Sequence, residues 1–459
     1  MIHRLVKLSF NAEETASFET IFKNSREHIR NMEGCLHLEC WRDVNDHTIY
    51  YTYSRWIDEA ALNAYRNSDF FQATWAKTKA LFRARPEAFS AEQLSDLPIP
   101  PPEIKRILVD DYHLEIGPIS DHHFRWLHQK AYAGWVILVD DLTRKYCLPR
   151  ILPFLSHDRT VIIEVPAGER HKHLDTCRFI WEEMFRAGIG RRWCMLNLGG
   201  GVIGDMGGFA AATYKRGIDF VQIPTTLLSQ VDASVGGKLG IDFYEIKNSV
   251  GLFQNPQAVW IDPAFLPTLS TREVRSGYAE IIKHALIADY AQWQSVKTTN
   301  ALDQANWLQL IPDSVKIKRD IVEQDPHERG LRKALNFGHT IGHAVESYWL
   351  HTDHRLLHGE AIAVGMICET WLSVQLGQLA ASASNEIVSY LLGLYGHQAI
   401  PEESFATQID FMKQDKKNED HRINFTLLKR IGEATVNVTV ESNLIQDALR
   451  FYNTLVHED

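Results

Sequence analysis

A chain of 459 residues that is 45% apolar and 23% charged can bury large cores and suits roughly two to four folded domains. Its formal charge of -10 argues against a general nucleic-acid or anionic-membrane surface, so any phosphate site must be built locally. The six cysteines are scattered without a CxxC pair, as expected for reduced thiols in a cytoplasmic protein.

The N-terminal MIHRLVKLSF runs straight into NAEE, so it lacks a signal-peptide core, and no later run approaches the roughly 20 apolar residues of a membrane helix. Residues 1–95 read as a separate unit. HRLVKLSF alternates like a strand, EETASFETIFKNSREHIRNM has helical spacing, and GCLHLECWRDV and HTIYYTYSRW alternate like paired strands. One long helix is expected from DEAALNAYRNSDFFQATWAKTKALF, with Asp58 as its N-cap. This β-α-β-β-α order, with Gly34, Cys35, Tyr53, Ser54, Trp56 and SDFFQATWAKTKALFRARPEAFS, resembles the antibiotic-biosynthesis-monooxygenase family, which implies a small ferredoxin-like α+β fold that pairs. His37, Trp41, Tyr51 and Trp75 could line a pocket there or simply fill a core, and no catalytic residue is assigned.

Pro98, Pro100, Pro101 and Pro102 make 96–103 a stiff linker. Beyond it the pattern becomes strands alternating with helices: KRILVDD, GWVILVDD, TVIIEVPAG, LDTCRFIWEEMFRAG and WCMLNLGGG. Such alternation predicts a doubly wound α/β domain over 104–271, with ligands at the carboxyl ends of its strands. Asp140 and Asp141 close one strand, where a carboxylate suits ribose hydroxyls. Gly199, Gly201 and Gly204 satisfy G-x-G-x-x-G between a strand and an Ala-rich helix, a pattern that brings backbone N–H groups close to phosphate or merely packs the helix on the strand. By that rule alone Asp219, about twenty residues on, would take the ribose. From 272 to 459 the segments become helical and form a mostly α-helical domain.

Single charged groups interrupt apolar or glycine-rich runs in VDASVGGK and GYAEIIKHALI, where an unpaired charge is costly unless a ligand satisfies it. On GGGVIGDMGGF, PTTLLSQVDASVGGK, IKN, GYAEIIKHALI, KALNFGHTIGHAVE, LLHGEAIAVGM and DKK, in that order across roughly residues 105–440, the chain resembles the 3-dehydroquinate synthases of the sugar phosphate cyclase superfamily.

The resemblance implies an NAD-binding domain followed by a metal- and substrate-binding helical domain. It favours Asp141 over Asp140 and over Asp219, which it leaves in a solvated turn. Glu169 and Lys172 match the GE-x-x-K element at the adenosine end of NAD, and Gly200, Gly201, Asp205, Thr225, Thr226, Asp232, Lys238 and Lys247 complete the cofactor set. Spacing alone makes His339 and His343, four apart on a helix, a metal pair. The family pattern instead takes Glu280, His339 and His358, a catalytic-zinc set with cobalt as an alternative, and leaves His343 beside the metal or the phosphate. His284 and His354 carry no motif support.

Lys238, Lys283, Lys318, Arg332, Asn336, His343, Asp232, Asn248, Glu328 and a lysine of DKK, Lys416 or Lys417, form the implied substrate site, with Arg216 reaching a neighbouring subunit. The implied activity is conversion of 3-deoxy-D-arabino-heptulosonate 7-phosphate to 3-dehydroquinate in the shikimate pathway, by transient oxidation with NAD, phosphate elimination, re-reduction and aldol closure. A sedoheptulose 7-phosphate cyclase or a metal- and NAD-dependent alcohol dehydrogenase are the alternatives. A homodimer or larger homo-oligomer is expected, with no nucleic-acid or membrane partner.

Overall fold

The computed structural model describes residues 2–92, 104–155, 159–244, 246–299, 301–326, 328–350, 352–414 and 423–455. It divides into two compact units, Met1–Pro101 and Pro102–Asp459. The proline linker expected over 96–103 lies outside the described residues.

The first unit runs β1 (Ile2–Ser9), α1 (Thr15–Arg30), β2 (Cys35–Arg42), β3 (Ile49–Trp56), α2 (Glu59–Asn67), α3 (Asp69–Lys79) and β4 (Glu87–Glu92). Its antiparallel sheet has the order β2-β3-β1-β4, the ferredoxin-like arrangement. Two expectations are corrected. The single helix after Asp58 is broken at Ser68, whose extended backbone (ψ 147°) and hydroxyl cap the next helix through Phe71 N–H. The strand β4, hidden in the charged EAFSAE, pairs with β1. Asp58 caps α2 as expected, accepting from Ala61 N–H at 2.8 Å. The aromatic residues do not line one pocket: Trp75 packs with Phe10, Phe18 and Tyr50 in the core, whereas Trp41 pairs with Tyr51 across strands, stacks on Tyr53 and is 48% exposed.

The second unit begins with β5 (Lys105–Val109), β6 (Tyr112–Ile116), α4 (Asp121–Gln129), β7 (Gly134–Asp140), α5 (Asp141–Tyr146), β8 (Thr160–Val165), α6 (Leu174–Arg186), β9 (Trp193–Gly199), α7 (Gly201–Thr213) and β10 (Asp219–Pro224). The hairpin β11 (Lys238–Phe243) and β12 (Ile246–Phe253) and the strand β13 (Ala258–Ile261) follow. The main sheet has the order β5-β6-β13-β10-β9-β7-β8 and is parallel except for the edge strand β5. Val136 and Leu138 of β7 enter one core with α6 and α7, and Ile137 and Val139 enter another with α4. A strand apolar on both faces, as GWVILV is, can only be central in a sheet covered on both sides.

The helical part comprises α8 (Thr271–Ala288), α9 (Tyr290–Lys297), α10 (Trp307–Gln324), α11 (His339–Trp349), α12 (His358–Gln375), α13 (Ala381–Tyr395), α14 (Phe405–Gln414) and α15 (Ser442–Thr454). It also holds the hairpin β14 (Asn424–Arg430) and β15 (Glu433–Thr439), which its mostly helical pattern did not announce. Its core is continuous with Ile107, Leu114, Val259 and Ile261 of the sheet edge. Among the described residues no helix is long and apolar enough to cross a membrane.

Candidate active site

Three helices bring the metal-type side chains together. Ser270 and Glu273 form a capping box that starts α8, and the helix is buried from Ser276 to Ile287, so Glu280 and Lys283 sit at 0% and 1% exposure. The helix α11 starts after Gly338 (φ 78°), and its first N–H groups donate to the buried carboxylate of Glu369, from Gly338 at 2.6 Å and Ile341 at 3.2 Å. A buried anion at a helix N-terminus is stabilised by the unpaired N–H groups and the helix dipole. The first residue of α12 is His358, and Gly359 N–H donates to Ser276 Oγ at 2.9 Å. The backbones meet at glycines: an added Cβ at Gly359 would lie 1.9 Å from Ser276 O, and one at Gly365 would lie 1.9 Å from Gly338 O.

This packing aims Glu280 Oε1 at His339 Nε2 (3.4 Å) and His358 Nε2 (3.6 Å). Ligand atoms about 2.1 Å from a tetrahedral zinc lie about 3.4 Å from one another, so the spacing fits one cation among them. Glu280 Oε1 is a buried carboxylate oxygen without a hydrogen-bond partner, while Oε2 accepts from Lys283. The outward ring nitrogens are held, His339 Nδ1 against Phe337 O at 3.1 Å and His358 Nδ1 against Glu346 Oε2 at 3.3 Å, which leaves both Nε2 atoms for a metal. Burial disfavours charge on His358, yet Glu280 and Glu346 raise it to about 9. Burial and Lys283 push His339 down to about 3, into the neutral ligand form. Burial would raise Glu280, but Lys283 and His339 hold it well below the usual range. The donor set fits a divalent metal. His343 is brought in as well, with ligand atoms of His339, His343 and His358 all within 4.8 Å of one another. His354 is exposed and packs on Trp349 instead.

Cations and their partners surround this cluster. Lys318 donates to Asp232 O at 2.5 Å and Oδ1 at 2.6 Å; burial raises Asp232, but Lys318 outweighs it and holds the carboxyl well below normal. His284, fully buried, touches Ser314 Oγ at 2.7 Å and lies 3.7 Å from Asp232. Arg332 is 2% exposed, with Nη1 on Pro326 O at 2.6 Å and a buried Nε lacking a partner. An added Cβ at Gly236 would meet Arg332 Nη2 at 2.8 Å, so the VGGK loop lies against that guanidinium. Glu328, at φ 57°, accepts from Lys238 at 2.5 Å and from Asn336 at 3.0 Å.

The cofactor candidates gather at the carboxyl ends of the strands. Thr225 N–H donates to Gly199 O at 3.0 Å, joining the ends of β9 and β10, and Thr226 exchanges hydrogen bonds with Ser229. Gly200 and Gly201 open α7 with none of Gly199, Gly200, Gly201 or Gly204 at positive φ. They serve close approach instead, an added Cβ meeting Ile203 Cβ at 2.6 Å from Gly199 and Thr226 Cγ2 at 3.0 Å from Gly200. Lys172 donates to Asp205 Oδ2 and Asn248 Oδ1, both at 2.6 Å. Asp140 is spent on the N-cap of α5, and Asp141 accepts from Ala167 N–H at 2.8 Å beside the turn that carries Glu169.

Several expectations are corrected or fall elsewhere. Asp219 is in no turn; it opens β10 at the opposite end of the sheet and accepts from Tyr132 OH at 2.6 Å. Lys247 donates to Glu346 at 2.8 Å, tying it to the metal-type cluster. Arg216 lies on an exposed turn with φ 69°. Lys416 and Lys417 lie outside the described residues. Sequence reasoning missed Glu346 and Glu369. Glu346 shares a helix face with His339 and His343 at i+7, and Glu369 is a lone acid in the apolar run of α12; the rule that singled out Glu280 covers both.

Profiles described as 3-dehydroquinate synthase N-terminal and C-terminal match residues 162–276 and 277–418, and one described as antibiotic biosynthesis monooxygenase matches residues 1–77. The 3-dehydroquinate synthase of Parabacteroides distasonis is 41% identical over 330 residues, covering 71% of this chain and 93% of its own. That of Idiomarina loihiensis is 40% identical over 342 residues, 73% and 94% of the two chains. Among solved structures, 2-epi-5-epi-valiolone synthase from Streptomyces hygroscopicus, with NAD+ and Zn2+ bound, aligns with TM-score 0.67 at 26% identity over 77% of this chain and 99% of its own. A 2-deoxy-scyllo-inosose synthase complexed with carbaglucose-6-phosphate, NAD+ and Co2+ shares the fold, with TM-score 0.66 at 23% identity over 76% and 99% of the two chains.

Proposed function

The chain belongs to the 3-dehydroquinate synthase family, and from that premise we propose that it converts 3-deoxy-D-arabino-heptulosonate 7-phosphate to 3-dehydroquinate and phosphate with NAD and a divalent metal. One observation carries the reading: the unpartnered, buried Glu280 Oε1 faces His339 Nε2 and His358 Nε2 at 3.4 and 3.6 Å, with the buried Lys283 on its other oxygen. Glu280, His339 and His358 hold the metal, zinc before cobalt. Asp141, Glu169, Lys172, Gly200, Gly201, Asp205, Thr225, Thr226, Asp232, Lys238 and Lys247 form the NAD side. When bound, NAD supplies reversible hydride removal from a secondary alcohol and the metal supplies Lewis acidity to alcohol and carbonyl oxygens.

The protein's own groups hold one pose through several steps. Lys283, Lys318 and Arg332 supply positive charge to a substrate carrying a phosphate dianion and a carboxylate, the planar Arg332 fork suiting the carboxylate and lysines the phosphate. Asp232 anchors Lys318 with O and Oδ1 at 2.5 and 2.6 Å. Glu328 ties Lys238 to Asn336, which presents both to substrate hydroxyls. His343 on α11 adds a hydrogen-bonding group beside the metal or the phosphate, and Asn248 on β12 one that orients hydroxyls. Arg216 completes a neighbouring subunit's site in a homodimer or larger assembly, and Lys416 or Lys417 of DKK belongs to the substrate set. Six free cysteines accord with a cytoplasmic location.

The deciding assay is phosphate release from the heptulosonate phosphate and from sedoheptulose 7-phosphate, with catalytic NAD and added zinc. Turnover of only the first supports the reading; preference for the second makes the chain another sugar phosphate cyclase; steady NADH accumulation makes it a dehydrogenase. Arg332→Ala lowers affinity for the carboxylate-bearing substrate roughly ten- to a hundred-fold, as loss of a charged hydrogen bond of about 1.5–3 kcal/mol requires, and leaves NAD affinity unchanged. Equal losses in titrations of both ligands would remove Arg332 from the substrate.

Residues 102–459 form their own compact unit and contain every residue assigned above. A chain beginning at Pro101 therefore keeps turnover, measured beside the full-length protein, and size exclusion reports whether the first unit adds to the assembly. A folded, metal-loaded truncation without turnover would place the first unit in the catalytic site.

A further inference from the structure

The carboxylate of Glu346 has two jobs at once. It is 9% exposed, on the same face of α11 as His339 and His343, and its two oxygens are divided between two elements. Oε2 faces His358 Nδ1 at 3.3 Å, on α12, and Oε1 accepts from Lys247 Nζ at 2.8 Å, on β12. The β11–β12 hairpin is in turn tied to the strand ends. Asn248, next to Lys247, accepts from Lys172, which also donates to Asp205 of α7, and Asn248 N–H donates to Asp242 Oδ1 at 2.8 Å. Hydrogen bonds thus run from a metal-type histidine through Glu346 to Lys247 and, across the peptide link to Asn248, on through Lys172 to the cofactor end of the sheet.

We propose that Glu346 is a positioning residue that orients His358 for the metal and, through Lys247 and the β11–β12 hairpin, couples metal binding to dinucleotide binding; the inference rests on the metal and NAD assignments above. Accepting the Nδ1–H of His358 fixes the tautomer whose Nε2 lone pair faces Glu280, and such outer carboxylates also raise the basicity of the ligand. With Nε2 holding a metal, that hydrogen bond would strengthen and the carboxylate would be immobilised. The fixed Oε1 then holds Lys247 in place, so the hairpin is already ordered when the dinucleotide arrives, and linkage makes the effect reciprocal.

The test uses the full-length protein stripped of metal, with zinc affinity measured by chelator competition without and with saturating NAD+, and folding checked by circular dichroism and thermal melting. In the wild type NAD+ tightens zinc by a factor within the roughly 5–150-fold range of allosteric coupling. In Glu346→Gln zinc weakens roughly ten- to a hundred-fold without NAD+, and the NAD+ factor falls to about one. In Lys247→Met, at NAD+ concentrations shown by direct titration to saturate the variant, the NAD+ factor again falls to about one, a result that a merely structural role for Glu346 does not produce. Unchanged zinc affinity in Glu346→Gln overturns the positioning role. An undiminished NAD+ factor in folded Lys247→Met overturns the coupling, and this arm decides the matter even if Glu346→Gln fails to fold. A wild type that binds no zinc overturns the metal assignment itself and is read separately from either variant.

Discussion

His339→Ala and His358→Ala each lose bound metal and turnover together while keeping the far-UV signature of the fold. Three protein ligands cannot lose one and keep most of their affinity, and Glu280 Oε1, already without a hydrogen-bond partner, would face a single imidazole instead of two at 3.4 and 3.6 Å. The cores that build the unit are made by other residues, so the backbone has no reason to unfold. Metal content after dialysis, measured by mass spectrometry, and phosphate release from the heptulosonate phosphate check the two halves independently. Stoichiometric zinc retained by His358→Ala would remove that residue from the ligand set. His343→Ala is the informative contrast, because its ring also lies within the histidine cluster. It keeps its metal and loses turnover if its task is the substrate; loss of metal would restore the i, i+4 pair that spacing alone suggests.

That contrast shows where sequence reasoning was strong and where it stopped. Lone charges in apolar runs were legible because burying an unpaired charge is costly: Glu280 and Lys283 are both buried and hydrogen-bonded to each other. The doubly wound sheet was legible in the two-sided apolar run of β7 and in the glycines after β9. What a residue was spent on locally was harder to read. Asp140 and Asp141 look alike in sequence, yet one caps α5 and the other reaches Ala167, a difference set by a single step along the chain. The glycines of β9–α7 serve close approach and none has positive φ, a distinction sequence does not make because a missing Cβ serves either purpose.

Elements held by partners distant in sequence were the ones missed. The strand β4 begins and ends on a glutamate and exists because β1 offers it an edge. Glu369 is 30 residues from His339 yet its carboxylate starts the helix that carries it, through Gly338 and Ile341. Lys247 was assigned to the cofactor from its motif, and its bond to Glu346, 99 residues away, could not be read from spacing.

Gly359→Ala produces a large loss of stability although it alters no metal ligand. The added Cβ would lie 1.9 Å from Ser276 O and 2.6 Å from Ser276 C, both backbone atoms, so no side-chain rotation relieves the contact and α8 and α12 must separate. Overpacking typically costs about 1–3 kcal/mol, and a clash between two backbones belongs at or beyond the upper end of that range. Separation also moves His358, the residue next to Gly359, away from Glu280 on α8, so zinc affinity falls with stability, although neither ligand is altered. The control is Gly393→Ala in α13, where no atom lies within 4 Å of the added Cβ. There the helix gains about 0.5–1 kcal/mol from replacing glycine, and metal binding is untouched. Thermal melts and chelator competition on the two variants decide it: a Gly359→Ala protein as stable as wild type, with unchanged zinc affinity, would mean that the approach of α8 to α12 does not set the geometry of the metal site.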